Sequence, residues 1–145
     1  MMKWTVATSV VIAMTCLNAT VAQAAELPTM YQTLGGKENI RGLMDDFVGR
    51  LKTDPVIGRY FLNTSAERLA SQLTDQVCEA TGGPCKYVGQ DMKAAHAGMN
   101  IRAADFNRLV EVLQDSMDSK KVPFGLQTKI LAMLAPMHRD MVVSQ

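Results

Sequence analysis

The sequence predicts an all-α protein, and three observations carry the prediction. Apolar residues recur at i, i+3, i+4 and i+7 in several separate stretches, which is the spacing of one helix face. Aromatic residues make up only 6% of the chain, while Leu, Met and Ala are abundant, a balance that favours helices over strands. No internal repeat or low-complexity segment interrupts the pattern. With 145 residues and 48% apolar content, the chain is long enough for one domain with a sizeable core.

The first 24 residues stand apart from that domain. Lys3 precedes an apolar run from Trp4 to Val21, and Ala22-Gln23-Ala24 follows with the small-x-small pattern of a secretory cleavage site. The expected organisation is a signal peptide over 1–24, a single domain over 25–145, and an exported, periplasmic protein. An uncleaved anchor is the rival reading and would be the only membrane contact, but Thr5, Thr8, Ser9, Thr15, Asn18 and Thr20 dilute its hydropathy. Lipid attachment at Cys16 would need a small residue where Thr15 stands. Removing Lys3 leaves 15 − 1 = 14 basic residues against 14 acidic ones, a formal charge of zero that gives no reason to expect nucleic acid as a partner.

Between Gly36 and Pro55, the residues Ile40, Leu43, Met44, Phe47, Val48 and Leu51 define the first long helix. Asp54-Pro55 ends it and opens a short turn that delivers Tyr60 and Phe61. Thr64-Ser65-Ala66-Glu67 has the form of a capping box, so the next helix is expected from Thr64 towards Ala80. Its expected inward stripe is Ala66, Leu69, Leu73, Val77 and Ala80, with Gln72 and Gln76 on the flank.

Gly82-Gly83-Pro84 must stop that helix. A short new helix is expected near Asp91, a good N-cap, and it carries His96 among the small residues Ala94, Ala95, Ala97 and Gly98. From periodicity alone, His96 is either a hydrogen-bonded core residue or a metal ligand. Phe106, Leu109, Val110, Leu113 and Met117 then mark a long helix. Val122-Pro123 starts the last one, with Leu126, Ile130, Met133, Leu134, Met137 and Met141 on one face and Pro136 expected to kink it.

The cysteines take their meaning from export. Once Cys16 has left, Cys78 and Cys85 are an even pair, and an oxidising compartment favours a disulfide over two reduced thiols. Two cysteines without a second nearby histidine make a poor zinc site. Met133, Met137 and Met141 beside His138 allow a soft-metal, copper-binding reading, against which stands simple core filling around the Pro136 kink. A haem-free helical binding module is a further alternative. No serine-histidine-acid grouping is evident, the glycine pairs serve as helix stops rather than phosphate loops, and Asp45-Asp46 and Asp115 with Asp118 fit solvated faces.

Four motifs in register go beyond periodicity. Tyr31-x-x-Leu34-Gly35-Gly36, Tyr60-Phe61, Gly82-Gly83-Pro84-x-x-Tyr87-x-Gly89 and Met92-x3-His96 together resemble the group I truncated haemoglobins over residues 30–143. The resemblance implies a two-over-two helical sandwich, haem (iron protoporphyrin IX) as cofactor, and His96 as proximal iron ligand. It places Phe61 against the porphyrin, Phe47 in the pocket wall, and Leu69 and Leu73 over the distal side. Met92 and Arg68 fall near the rim, with Arg68 a partner for a propionate. The implied small ligands are O2, CO and NO, and an electron-donating reductase is an open partner.

Two departures from the family bear on chemistry. Val48 stands where the family commonly has a ligand-binding tyrosine, and Leu69 and Leu73 stand where glutamine or histidine often assists. An apolar distal wall leaves the negative charge that oxygen acquires on binding without a donor, a loss of about 1.5–3 kcal/mol. Oxygen is therefore expected to leave faster than from tyrosine-bearing relatives, and carbon monoxide to be affected less. Gln72, Gln76, Tyr60 and Tyr87 are the candidates to supply a substitute donor. Nitric oxide dioxygenation and peroxidase-like chemistry are weakened by Val48 and Leu73, so gas binding and transport is the primary expectation.

Overall fold

Four amphipathic helices and several one-turn pieces build the chain, described in a computed structural model over residues 27–142. The expected signal segment, 1–24, lies outside the described residues. The first piece, α1 (Met30–Thr33), has no counterpart in the sequence reading and depends on reciprocal capping: the Thr29 hydroxyl accepts from the Gln32 N–H while the Gln32 side chain accepts from the Thr29 N–H.

Helix α2 (Gly36–Thr53) buries all six residues of its expected stripe, Ile40, Leu43, Met44, Phe47, Val48 and Leu51. Asp54 ends it in an extended conformation, and its carboxylate accepts the Val56 and Ile57 N–H groups and the Arg108 guanidinium. Burial pushes the Asp54 carboxyl up, but these donors outweigh it and the net direction is down. The chain then enters a 3-10 turn, Gly58–Phe61, which presents Tyr60 and Phe61. Lys52 Nζ donates to the carbonyls of Phe61, at 3.1 Å, and Thr64, at 2.6 Å, and so pins this segment to the end of α2.

Helix α3 (Ala66–Ala80) begins slightly later than expected, with Ser65 as its cap. Its buried face also differs. Ala70, Thr74, Val77 and Cys78 are buried, Leu69 and Leu73 are half-buried, and Ala66 and Ala80 are exposed. Small Ala70 and Thr74 let α3 approach α2 closely, and that contact turns the leucines and glutamines towards the gap between the layers.

The break after α3 follows from two glycines. Gly82 has φ of 86°, a left-handed conformation that favours glycine. A Cβ at Gly83 would come within 2.5 Å of the Tyr31 ring and 2.6 Å of Cys78 Sγ, so a bare backbone is required there. Cys78 and Cys85 are joined in a disulfide with Cα atoms 5.7 Å apart. Asp91 caps the short α4 (Met92–Ala95) through its carboxylate and the Ala94 N–H.

Helix α5 (Ala103–Ser119) buries Val112, Leu113 and Met117 and leaves Phe106, Leu109 and Val110 half-buried. Helix α6 (Phe124–Leu134) stops where Pro136 was expected to disturb it. A 3-10 turn, Ala135–Met137, intervenes before α7 (His138–Met141). Helices α2 and α3 form one layer and α5 and α6 the other, with α2 packed on α5. This is the two-over-two sandwich, and no strand occurs among the described residues. The shared core runs through Ile40, Met44, Leu51, Val112, Met117 and Ile130.

Candidate functional site

The two layers do not close on each other completely. Between them lies a cavity of about 490 Å³, bounded by Phe47 and Leu51 of α2 and by Leu69, Gln72, Leu73 and Gln76 of α3. Tyr60 and Phe61 close one side; Tyr87, Met92, His96 and Met99 form another. Leu109, Val110 and Leu113 of α5, with Leu134, Met137 and Met141 beyond, complete an apolar wall. A smaller chamber of about 50 Å³ adjoins it, sharing His96, Met99 and Phe106 and reaching Asp105.

His96 is the polar residue best placed for chemistry in this wall. It follows α4 as its C-cap, and its Nδ1 lies 2.7 Å from the Met92 carbonyl oxygen. A carbonyl only accepts, so Nδ1 carries the proton and, in the neutral ring, Nε2 keeps its lone pair. Ligating histidines use this arrangement, in which one ring nitrogen is fixed by a backbone acceptor while the other is left for metal.

The other hydroxyls and amides of the wall are largely committed. The Tyr60 hydroxyl donates to Asp105 at 3.0 Å, and the Tyr87 hydroxyl donates to the Gln90 carbonyl at 2.8 Å. Burial, and after it the Asp91 carboxylate, pushes the Tyr87 phenol up, so it stays protonated. Gln76 Nε2 points to the sulfurs of Met92 and Met137. Among the described residues, no hydrogen bond involves the Gln72 side chain.

Of the residues expected at the site, Phe47, Phe61, Leu69, Leu73, Met92 and His96 all line the cavity. Val48 and Arg68 do not. Val48 is packed into the core with 1% of its surface exposed, and Arg68 lies on the exposed side of α3. The copper grouping gains no support: Met137 and Met141 line the cavity while Met133 does not, and the His138 ring packs edge-on against Phe106 with centroids 4.8 Å apart.

Sequence reasoning missed the group around Asp105. Its carboxylate is 2% exposed and receives the Arg59 and Arg102 guanidiniums, the Tyr60 hydroxyl and the Arg102 N–H at 3.0–3.1 Å. The Arg102 guanidinium foremost holds this carboxyl far below the usual range, against the opposing effect of burial. Its position three residues after Arg102, at the start of α5, was the available signal.

A four-helix sandwich around an apolar cavity, with one imidazole fixed through Nδ1 at its edge, defines a globin. Residues 29–143 match the bacterial-like globin family. A group 1 truncated hemoglobin of Tetrahymena thermophila is 34% identical over 86 residues, which cover 59% of this chain and 71% of that protein. One from Mycolicibacterium paratuberculosis is 27% identical over 121 residues, 83% of this chain and 89% of that protein. The crystal structure of truncated hemoglobin from Tetrahymena pyriformis in its Fe(III) form superposes with a TM-score of 0.76 at 26% identity, covering 81% of this chain and all of that one. The chain belongs to the bacterial-like globins, within their group 1 truncated hemoglobins.

The residues present fit a haem. The cavity falls in the size range of small-molecule and cofactor sites, about 300–1,000 Å³. Its wall is apolar, and His96 lines it with Nδ1 engaged by the Met92 carbonyl, which leaves Nε2 as the nitrogen for a metal.

Proposed function

We propose that this chain holds haem in the cavity through His96 Nε2 and binds O2, CO and NO there. The bond from His96 Nδ1–H to the Met92 carbonyl is the observation that carries the reading, because it fixes the ring's tautomer and orientation for ligation. A bound haem supplies an iron centre for diatomic gases. Phe61 and Phe47 would offer a porphyrin apolar faces to pack against, and Leu69 and Leu73, which line the same cavity, would help to exclude water. Reversible gas binding and transport is the activity this wall supports best, since Leu69 and Leu73 are apolar and the Tyr60 and Tyr87 hydroxyls are engaged with Asp105 and the Gln90 carbonyl.

The test is spectroscopic. The purified chain with haemin is expected to give a Soret band that shifts on reduction and again with CO, and His96→Ala is expected to lose the iron–histidine stretch in resonance Raman. Haemin uptake by His96→Ala with the stretch unchanged would overturn the assignment.

We further propose export. The support is Lys3 with its apolar run and the Ala22-Gln23-Ala24 pattern, together with the Cys78–Cys85 disulfide, which persists in oxidising compartments. The mature protein is expected to start at Ala25 by N-terminal sequencing, and an intact Met1 on the folded protein would exclude cleavage.

A further inference from the structure

Gln76 has unusual partners for an amide. Its Nε2 lies 3.5 Å from Met137 Sδ and 3.7 Å from Met92 Sδ, so its two N–H groups can each meet a thioether, and both methionines line the large cavity. Thioether sulfur is a weak acceptor. A strong donor is thus held among apolar groups by partners that use little of its capacity. A sulfoxide oxygen on either methionine would be a much stronger acceptor for the same N–H.

We propose that Met92 and Met137 form a reversible oxidation site for hydrogen peroxide, with Gln76 as the donor that receives the sulfoxide oxygen. The sulfur lone pair attacks one peroxide oxygen, the O–O bond breaks and an S–O bond forms. The departing hydroxide takes the proton of the transferred oxygen and leaves as water, so sulfur loses two electrons and the peroxide gains them. The Gln76 N–H, beside both sulfurs, first donates to the peroxide and meets the negative charge that grows on its departing oxygen, which speeds the step. It then donates to the sulfoxide oxygen once that has lost its proton, which stabilises the product. Oxidation also has a route to the imidazole. Met92 stands one turn before His96 and its carbonyl holds His96 Nδ1–H, so a larger, polar side chain at Met92 acts on the residue that sets the ring.

The chain contains its own controls. Met99 and Met141 line the same cavity, are half-buried like Met92 and Met137, and do not meet the Gln76 amide. The full chain, as purified and after loading with haemin, is treated with hydrogen peroxide, and sulfoxide at each methionine is followed by peptide mass spectrometry. Met92 and Met137 are expected to oxidise about fivefold faster than Met99 and Met141, the effect of one hydrogen bond. Gln76→Leu is expected to remove the difference, and methionine sulfoxide reductase to restore the original masses. Equal rates in the unmodified chain, an unchanged preference in Gln76→Leu, or failure of the reductase to reverse the mass change would overturn the proposal. The comparison within the unmodified chain stands even where Gln76→Leu does not fold. Because the site consists of side chains alone, a chain that takes up no haemin but keeps this preference would sink the haem reading and leave this one intact.

Discussion

Asp105 is buried as an anion, and its charge is stabilised entirely by neighbours: Arg59 and Tyr60 from the 3-10 turn, Arg102 from the start of its own helix. Its carboxyl is held below the ordinary value near 3.9 that the unfolded chain shows. A group whose pKa is lowered on folding contributes stability that is complete above the unfolded value and is lost as pH falls through the folded one. The protein is therefore expected to lose stability below about pH 4, and Asp105→Asn is expected to lower the melting temperature by several degrees at neutral pH while flattening the acid limb. Thermal melts of both proteins from pH 3 to 7 check this, and an unchanged acid limb in Asp105→Asn would assign the loss to other carboxylates. The local mark on Asp105, its place three residues after Arg102, was faint, since an acid in the first turn of a helix ordinarily faces water. Its burial depends on a tyrosine 45 positions away. His96 was legible because Met92, the small residues around it and the preceding glycine loop occur in fixed order, whereas the hydrogen bond that sets its tautomer needed the folded backbone.

At the level of elements, stripes of apolar residues specified α2 completely and α3 only in part. Helix α2 has one greasy face, so its phase is unambiguous. Helix α3 has two usable faces, one of small residues and one of leucines with glutamines, and periodicity cannot tell close helix contact from a cavity wall. The small face won because Ala70 and Thr74 permit the nearer approach. The segment after α3 depends on its anchors. The disulfide, the Glu79 carboxylate receiving the Tyr87 N–H and Lys86, and the Asp91 cap together fix the path from Thr81 to His96. Replacing both cysteines with serine is expected to cost about 2–3 kcal/mol, the value for a loop of this length in the chain-entropy model. It is also expected to speed haemin transfer to an acceptor globin, because Tyr87 and Gln90 of that segment form part of the cavity wall. Urea unfolding and haemin-transfer kinetics measure the two effects, and equal transfer rates in both proteins would free the cavity from dependence on this bridge.

For the whole molecule, the sandwich was legible because it is the packing of four stripes, while the cavity was legible only through motifs, because empty space leaves no periodic mark. Val48 shows the difference. Its place in the sequence pointed to the ligand pocket, yet it is packed in the core, so Val48→Tyr adds a ring where no space exists and is expected to destabilise the fold rather than supply a hydroxyl. The wall's own donors are mostly engaged: Tyr60 with Asp105, Tyr87 with the Gln90 carbonyl, Gln76 with two sulfurs. A new donor is better placed on α3, where Leu73 already faces the cavity. Leu73→Gln is expected to slow oxygen release about 10- to 100-fold, the equivalent of a charge-assisted hydrogen bond of roughly 1.5–3 kcal/mol, and to change carbon monoxide release far less, because carbon monoxide gathers little charge on binding. Stopped-flow displacement of each gas measures both rates. Oxygen release left unchanged by Leu73→Gln, but accelerated by Gln72→Leu, would mean that Gln72 already turns its amide onto the bound gas and that the wall is less apolar in use than its leucines imply.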